Sequence, residues 1–228
     1  MKLQIRLLAG GVAGCAAATV AVAGCGSSGS SSNSSSKEPS AAQLQSSVQQ
    51  SVRDASSVKV NGQVSQKGVP VGVDLGLHRD GDMSGTISEN GANLQVLSVG
   101  GKVYIKATPA FLKEVKAPAD ACAVMCGRWV ELPAQEARQI TGQLSMNSLT
   151  GVGATEAGST TVDGQHAWVL KGTDGTKVAV SSANKHYPLQ ATGGSTGHGT
   201  LKFSQWNSVP PPTAPPAGQV VNLSGLQK

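Results

Sequence analysis

Aromatic residues are scarce in this 228-residue chain, at 3%, and charged residues make up only 14%. Two phenylalanines, two tyrosines and three tryptophans cannot fill a core, so any core must be mostly aliphatic. Dense basic patches and basic–aromatic alternation are also missing. That removes the footprint of a nucleic-acid-binding protein, and no nucleic-acid partner is expected. The arrangements that carry chemistry are absent as well. His78, His166, His186 and His198 are scattered, and no pair has H-E-x-x-H spacing. Asp80-Gly81-Asp82 lacks the remaining ligands of a calcium loop and reads as a turn. Gly193-Gly194-Ser195-Thr196-Gly197 matches G-x-S-x-G with His198 next to it, but a nucleophile elbow needs the order Ser, acid, His. No Asp or Glu follows Ser195, so the region reads as a glycine-rich loop. No enzymatic activity, cofactor or metal is expected.

What is present begins with an address. Lys2 and Arg6 form a short positive region, and Leu7 to Gly24 is apolar and uncharged. This is a signal-peptide pattern, and residues 1–24 are left out of the fold argument. The segment approaches spanning length, but Gly10, Gly11 and Gly14 weaken it as a permanent helix and no positive stop-transfer cluster follows. It ends in Val22-Ala23-Gly24-Cys25, which resembles the lipobox of bacterial lipoproteins, whose cysteine is diacylated and becomes the mature N-terminus. Val12-Ala13-Gly14-Cys15 spells the same four residues. Only Leu7 to Gly11 precede that copy, however, and such signals need roughly 7–15 apolar residues. Cys25 is therefore the expected lipidation site. Acyl chains contribute about 0.8 kcal/mol per buried CH₂, so two or three anchor durably. Residues 25–39 follow as a linker. Gly26 to Ser40 holds nine serines in fifteen residues and cannot bury enough apolar surface to fold. As a coil it reaches about 20 Å. The expected location is the extracytoplasmic face of the bacterial cell membrane.

Residues 40–208 have the length of one domain with a real core. Without Lys2 and Arg6, 16 basic side chains face 13 acidic ones, a mild net +3. Ser40-Ala41-Ala42-Gln43 reads as a capping box, and Ala41, Leu44, Val48, Val52 and Ala55 continue at helical spacing. Val58, Val60 and Val64 then sit at even spacing. Val69, Val71, Val73, Leu75 and Leu77 alternate with Pro70, Gly72, Asp74, Gly76 and His78, a period of two. Asp80-Gly81, Asn90-Gly91 and Gly100-Gly101 are turns between strands at 83–89, 92–99 and 102–107. Connections this short join antiparallel neighbours. Two helical pieces, about 109–116 and 133–144, interrupt the strands. Strands resume at about 155–162, 165–171, 176–182, 186–192 and 199–206. Residues 209–228 begin with five prolines between Pro210 and Pro216 and read as an extended, weakly structured tail.

Cys122 and Cys126 form C-x₃-C. Paired cysteines outside the membrane usually oxidise, so a disulfide is expected. A redox role would favour C-x-x-C, and zinc would need two more ligands. Trp129, Trp168 and Trp206 adjoin strand-like residues, where they could line a ligand cavity or serve as ordinary core.

Helix, strand meander, helical middle and second meander behind a lipobox resemble the LppX/LprG-type lipoproteins of high-GC Gram-positive bacteria, and more distantly the LolA/LolB lipoprotein carriers. The resemblance covers about residues 40–209. It is carried by the opening helix, "GGKVYIKA", "GRWVELP", "DGQHAWVLKG", "KHYPLQA" and "LKFSQWNSVPPP". It implies an α+β fold: a curved antiparallel sheet, or half-barrel, of about ten strands with helices over its concave face. It also implies that acyl chains or lipidated molecules bind between the two layers. Cys122, Cys126 and the low aromatic content are departures from that pattern.

Two functions are therefore weighed. One is a tethered lipid-binding domain, with Val69, Val71, Val73, Leu75, Leu77, Val103 and Ile105 as candidate cavity lining. The other is a non-enzymatic interaction module with a filled core that partners another envelope protein. The N-terminal assignment is tested first. Cys25→Ala should abolish incorporation of labelled palmitate; undiminished labelling rejects the site, and labelling moved to Cys15 identifies the other box.

Overall fold

A computed structural model of the chain describes residues 39–222, apart from 67, 115, 119, 151–152, 184 and 194–197. Cys25, the serine linker and most of the G-x-S-x-G stretch lie outside the described residues. The first helix, α1 (Ala41–Asp54), opens with the expected capping box: Ser40 Oγ accepts from the backbone N–H of Gln43, whose side chain reaches back to Ser40. Leu44, Val48 and Val52 are its buried stripe. Its far end is held by a residue distant in sequence. Arg79 donates to the carbonyls of Val52 and Ala55, satisfying C-terminal groups with a cation at the negative end of the helix.

The strands form one curved sheet. The first meander is β1 (Ser57–Gln66), β2 (Val69–His78), β3 (Met83–Glu89), β4 (Ala92–Val99) and β5 (Lys102–Ala107). Asn90 and Gly91 both have positive φ, 48° and 81°, which a two-residue hairpin of type I′ requires. Then come α2 (Pro109–Glu114), α3 (Ala121–Met125), β6 (Trp129–Glu131) and α4 (Ala134–Gln143). The second meander is β7 (Ala154–Val162), β8 (Gln165–Gly172), β9 (Lys177–Ser181), β10 (Pro188–Thr192) and β11 (His198–Ser204), and the described chain ends in β12 (Val220–Asn222). The order is β12-β6-β5-β4-β3-β2-β1-β11-β10-β9-β8-β7.

Ten of these strands are the expected ones. β6 and β12 are additions, and they pair parallel in an otherwise antiparallel sheet. Both have three residues, too few to show an alternation, and neither would be a strand without the other elements beside it. The second helical piece begins at 134 rather than 133, and the first ends at Glu114.

Register places one apolar row across ten of the twelve strands. Ala157, Leu170, Val178, Ala191, Leu201, Gly62, Val73, Ile87, Leu94 and Ala107 are successive cross-strand partners from β7 to β5. Beyond Ala107 an isolated bridge reaches Cys126. A one-residue slip anywhere would turn this row to the polar face, so the alternation itself pins the register.

The proline-rich segment differs from its expectation. It is extended but held. Val209 N donates to Ser57 Oγ, and His78 Nε2 lies 3.2 Å from the carbonyl oxygen of Pro210. Val209, Pro212 and Pro215 are half-buried, with two exposed residues between each. Three residues per turn is the period of a polyproline II helix, so one edge of the strap faces the sheet. The strap leaves β11 over Ser57, Gly76 and His78 on the outer face and ends as β12 beside β6. A Cβ added at Gly76 would stand 2.7 Å from Val209 Cγ1. Gly76→Val should lift the strap, speed amide exchange at Val220–Asn222 and destabilise by about 1–3 kcal/mol as an overpacked contact. Unchanged exchange in β12 would show that Gly76 leaves no room the strap needs.

Candidate functional site

The candidate site is the layer between the inner face of the sheet and its helices. Val71, Val73, Leu75 and Leu77 are buried on that face, as is Val103, while Ile105 and Val69 are half-buried. Val73, Leu75, Leu77 and Val103 belong to one apolar cluster with Val58, Val60, Ile87, Leu94 and Val96. Ile105 packs against that cluster, and its register partner is Val96. The sheet half of the sequence assignment is thus brought together on a single face.

The roof has two parts. α1 presses Leu44, Val48 and Val52 onto Trp168, Leu170, Val178 and Val180 of β8 and β9. Phe111 and Leu112 of α2, Ala137 of α4, and Leu144 and Met146 cover the other half. The two clusters share Leu149, Ala191 and Trp206, all half-buried, and the turn carrying Met146 and Leu149 packs against α1, so the cover runs on from one cluster to the other. The sequence places helical pieces, about 109–116 and 133–144, over the sheet without singling out their roof residues. Phe111 and Leu112 stand in a six-residue helix, and Leu144 and Met146 fall after the periodic stretch, where no pattern flags them.

The tryptophans divide. Trp168 is buried under α1. Trp206 packs against both clusters, its ring stacked on Tyr187 with centroids 4.6 Å apart and its Nε1 donating to the Pro188 carbonyl at 3.0 Å. Trp129 is half-exposed near the Lys106 ammonium, 5.8 Å from the ring centroid. Cys122 and Cys126 are joined in a disulfide beside the α2–α4 roof.

Two concavities lie on the outer face. One, of about 280 Å³, is lined by Thr86, Asn93, Gln95, Lys106, Thr108 and Gly127 among others. The other, of about 580 Å³, includes Lys59 paired with Asp74 and Lys202 paired with Asp163 at 2.9 Å. None of the seven candidate lining residues borders either one. The clustered residues of the inner layer are almost all aliphatic or aromatic, with the buried Ser98 hydroxyl beside Val103 and Met83, and among the described residues no three His, Cys, Asp or Glu side chains are grouped as metal ligands. Such a layer can exclude water and hold apolar matter. Electrostatic features lie outside it: Glu131 beside Lys102 holds that ammonium above its usual pKa by a hydrogen bond and its charge.

No family model matches the chain, and no curated protein matches it. Solved structures do. LprF from Mycobacterium bovis superposes with a TM-score of 0.52 at 15% identity, covering 77% of this chain and 98% of LprF. The chain has the fold of LprF. The lipoprotein LppX from Mycobacterium tuberculosis aligns at a TM-score of 0.47 and 14% identity, over 73% of this chain and 96% of LppX.

The disulfide closes a small ring and should contribute about 2 kcal/mol by loop-entropy arithmetic. Cys122→Ser with Cys126→Ser should therefore lose less than Leu75→Ala, a fully buried truncation expected to cost about 2–5 kcal/mol. Urea melts of the two variants compare them directly. A double serine variant less stable than Leu75→Ala would place the bridge at the centre of the fold rather than at its margin.

Proposed function

We propose that the chain is a membrane-anchored lipoprotein on the outer side of the cell membrane, and that it carries acyl chains between its sheet and its helical roof without catalysing a reaction. The observation that carries this reading is the apolar row running through ten strands under a helical roof built in two clusters. Acyl chains are long, narrow and apolar, and they match such a layer once the roof yields. The LprF fold and the lipobox at Cys25 support the same reading.

A second reading rests on a different observation. Val71, Val73, Leu75, Leu77 and Val103 are already buried among protein atoms. A filled interior suits an interaction module that partners another envelope protein.

Protein taken from its native membranes should carry lipid visible by native mass spectrometry. Val73→Trp should remove it, because the indole would project from the buried inner face into the layer the chains occupy. Circular dichroism should show the fold retained. Lipid-free native protein, or full occupancy in a folded Val73→Trp variant, would shift the assignment to the interaction module.

A further inference from the structure

α3 consists of Ala121, Cys122, Ala123, Val124 and Met125, and none of the five is buried. An apolar helical turn normally faces inward. Here Ala121, Cys122 and Met125, with Cys126, pack partly against the core cluster, while Val124 is half-exposed, Ala123 and the following Gly127 are exposed outright, and the Cys122–Cys126 bridge closes the turn into a knuckle. The apolar side left outward, at Ala123 and Val124, is the candidate interaction surface. Lys113, Lys116 and Arg128 flank it, all exposed, and Lys106 lines the same outer groove as Gly127. Glu114, which accepts from Asn90 Nδ2, and Asp120 are the carboxylates in the same stretch, so the surroundings keep a net positive charge.

We infer that Ala121–Gly127 is a membrane-docking knuckle, inserting shallowly between lipid headgroups while Lys106, Lys113, Lys116 and Arg128 lie against anionic phosphates. Apolar side chains ringed by cations are the composition of an interfacial anchor, and juxtamembrane cations are drawn to an anionic leaflet. Among the described residues no helix is long and apolar enough to cross a membrane, so this contact is a surface one. The knuckle also carries Cys126, which bridges to Ala107 at the end of the apolar row. Docking therefore brings the roofed layer to the bilayer at one end. The inference deepens the carrier reading and takes its purpose from it.

The test uses the full chain reconstituted in phosphatidylglycerol–phosphatidylcholine vesicles containing a lipid with a photoreactive headgroup-proximal acyl carbon. Either acylated Cys25 or the uncleaved apolar leader holds the protein there, so the outcome does not hinge on which anchor is present. After irradiation and reduction, lipid adducts should concentrate in the tryptic fragment that ends at Arg128. Ala123→Asp with Val124→Asp should lower those adducts at least fivefold, with adducts near the N-terminus unchanged. A second variant, Lys113→Glu with Lys116→Glu and Arg128→Glu, leaves the apolar turn intact and should lower the adducts, read in the 107–138 tryptic peptide and compared with the summed 107–138 adducts of the unchanged protein, at least threefold. It should also abolish the difference between anionic and pure phosphatidylcholine vesicles. Adducts in that fragment no more frequent than in the β7–β8 turn would overturn the inference, as would insensitivity to both variants. Adducts on peptides carrying Val73 or Leu75 report on cargo in the inner layer instead, so loss of those alone counts against the carrier reading and leaves the docking result standing.

Discussion

Seven register pairs between β1 and β11 hold this molecule together. They run from Lys59 opposite Ser204 to Ser65 opposite His198. Each meander is local, made of hairpins between consecutive strands, and each alone would leave an apolar face open to water. The β1–β11 ladder turns two half-sheets into one and aligns their apolar rows, through Gly62 and Leu201. Asn207 then clips the junction, accepting from the Ser56 N–H at 2.7 Å and donating to the Tyr187 hydroxyl at 2.9 Å. Everything above the sheet depends on this join. α1 covers strands of the second meander, and α2 and α4 cover the first.

The two faces of the sheet divide the labour. Inside, aliphatic side chains supply burial at about 25 cal/mol per Å² of apolar surface, the principal source of stability for a chain poor in aromatics. Outside, the alternate positions carry Lys59, Asn61, Asp74, Thr86, Gln95, Lys106 and Lys202, whose exposed pairs add little energy. Outer positions are not all exposed: Ala167, Val169 and Ala179 are buried in the second meander, and in the first Leu97 and Tyr104 are only 6% and 7% exposed. Leu97 and Tyr104 lie in register with Gly76 and Ser84, between the two ends of the strap.

Much of the fold was legible because its rules are local. The period of two in β2 identifies the same inner face that the structure buries, and Asn90-Gly91 dictates a hairpin wherever it stands between strands. The capping box at Ser40 fixes the start of α1 within one turn. What escaped reading depends on distant partners. β6 is a strand because β5 and β12 lie beside it, and Arg79 caps a helix that ends 25 positions earlier in the chain. Half of the candidate site was readable for the same reason: Val71 to Leu77 announce a face, whereas Phe111, Leu144 and Met146 become a roof only once the sheet exists. Composition misled most in the proline-rich tail. Prolines forbid a helix and a central strand, which leaves an extended chain, but they say nothing about whether that chain is seated on something.

The seated tail sets a ruler. From Pro210 over β2 to the place of β12 beyond β6 there are five strand spacings, about 24 Å at 4.8 Å each. Seven residues of polyproline II and one 3₁₀ turn, Ala217–Gln219, supply about 28 Å. One polyproline turn fewer, about 9 Å, would fall short of the far edge. Residues in the tail are therefore free to drift in identity, so long as an extended backbone and an occasional small apolar side chain remain. Its length is not. Among descendants of this sequence, insertions and deletions should gather in the hairpin tips and the serine linker, and the span between Pro210 and Val220 should be conserved in number rather than in kind.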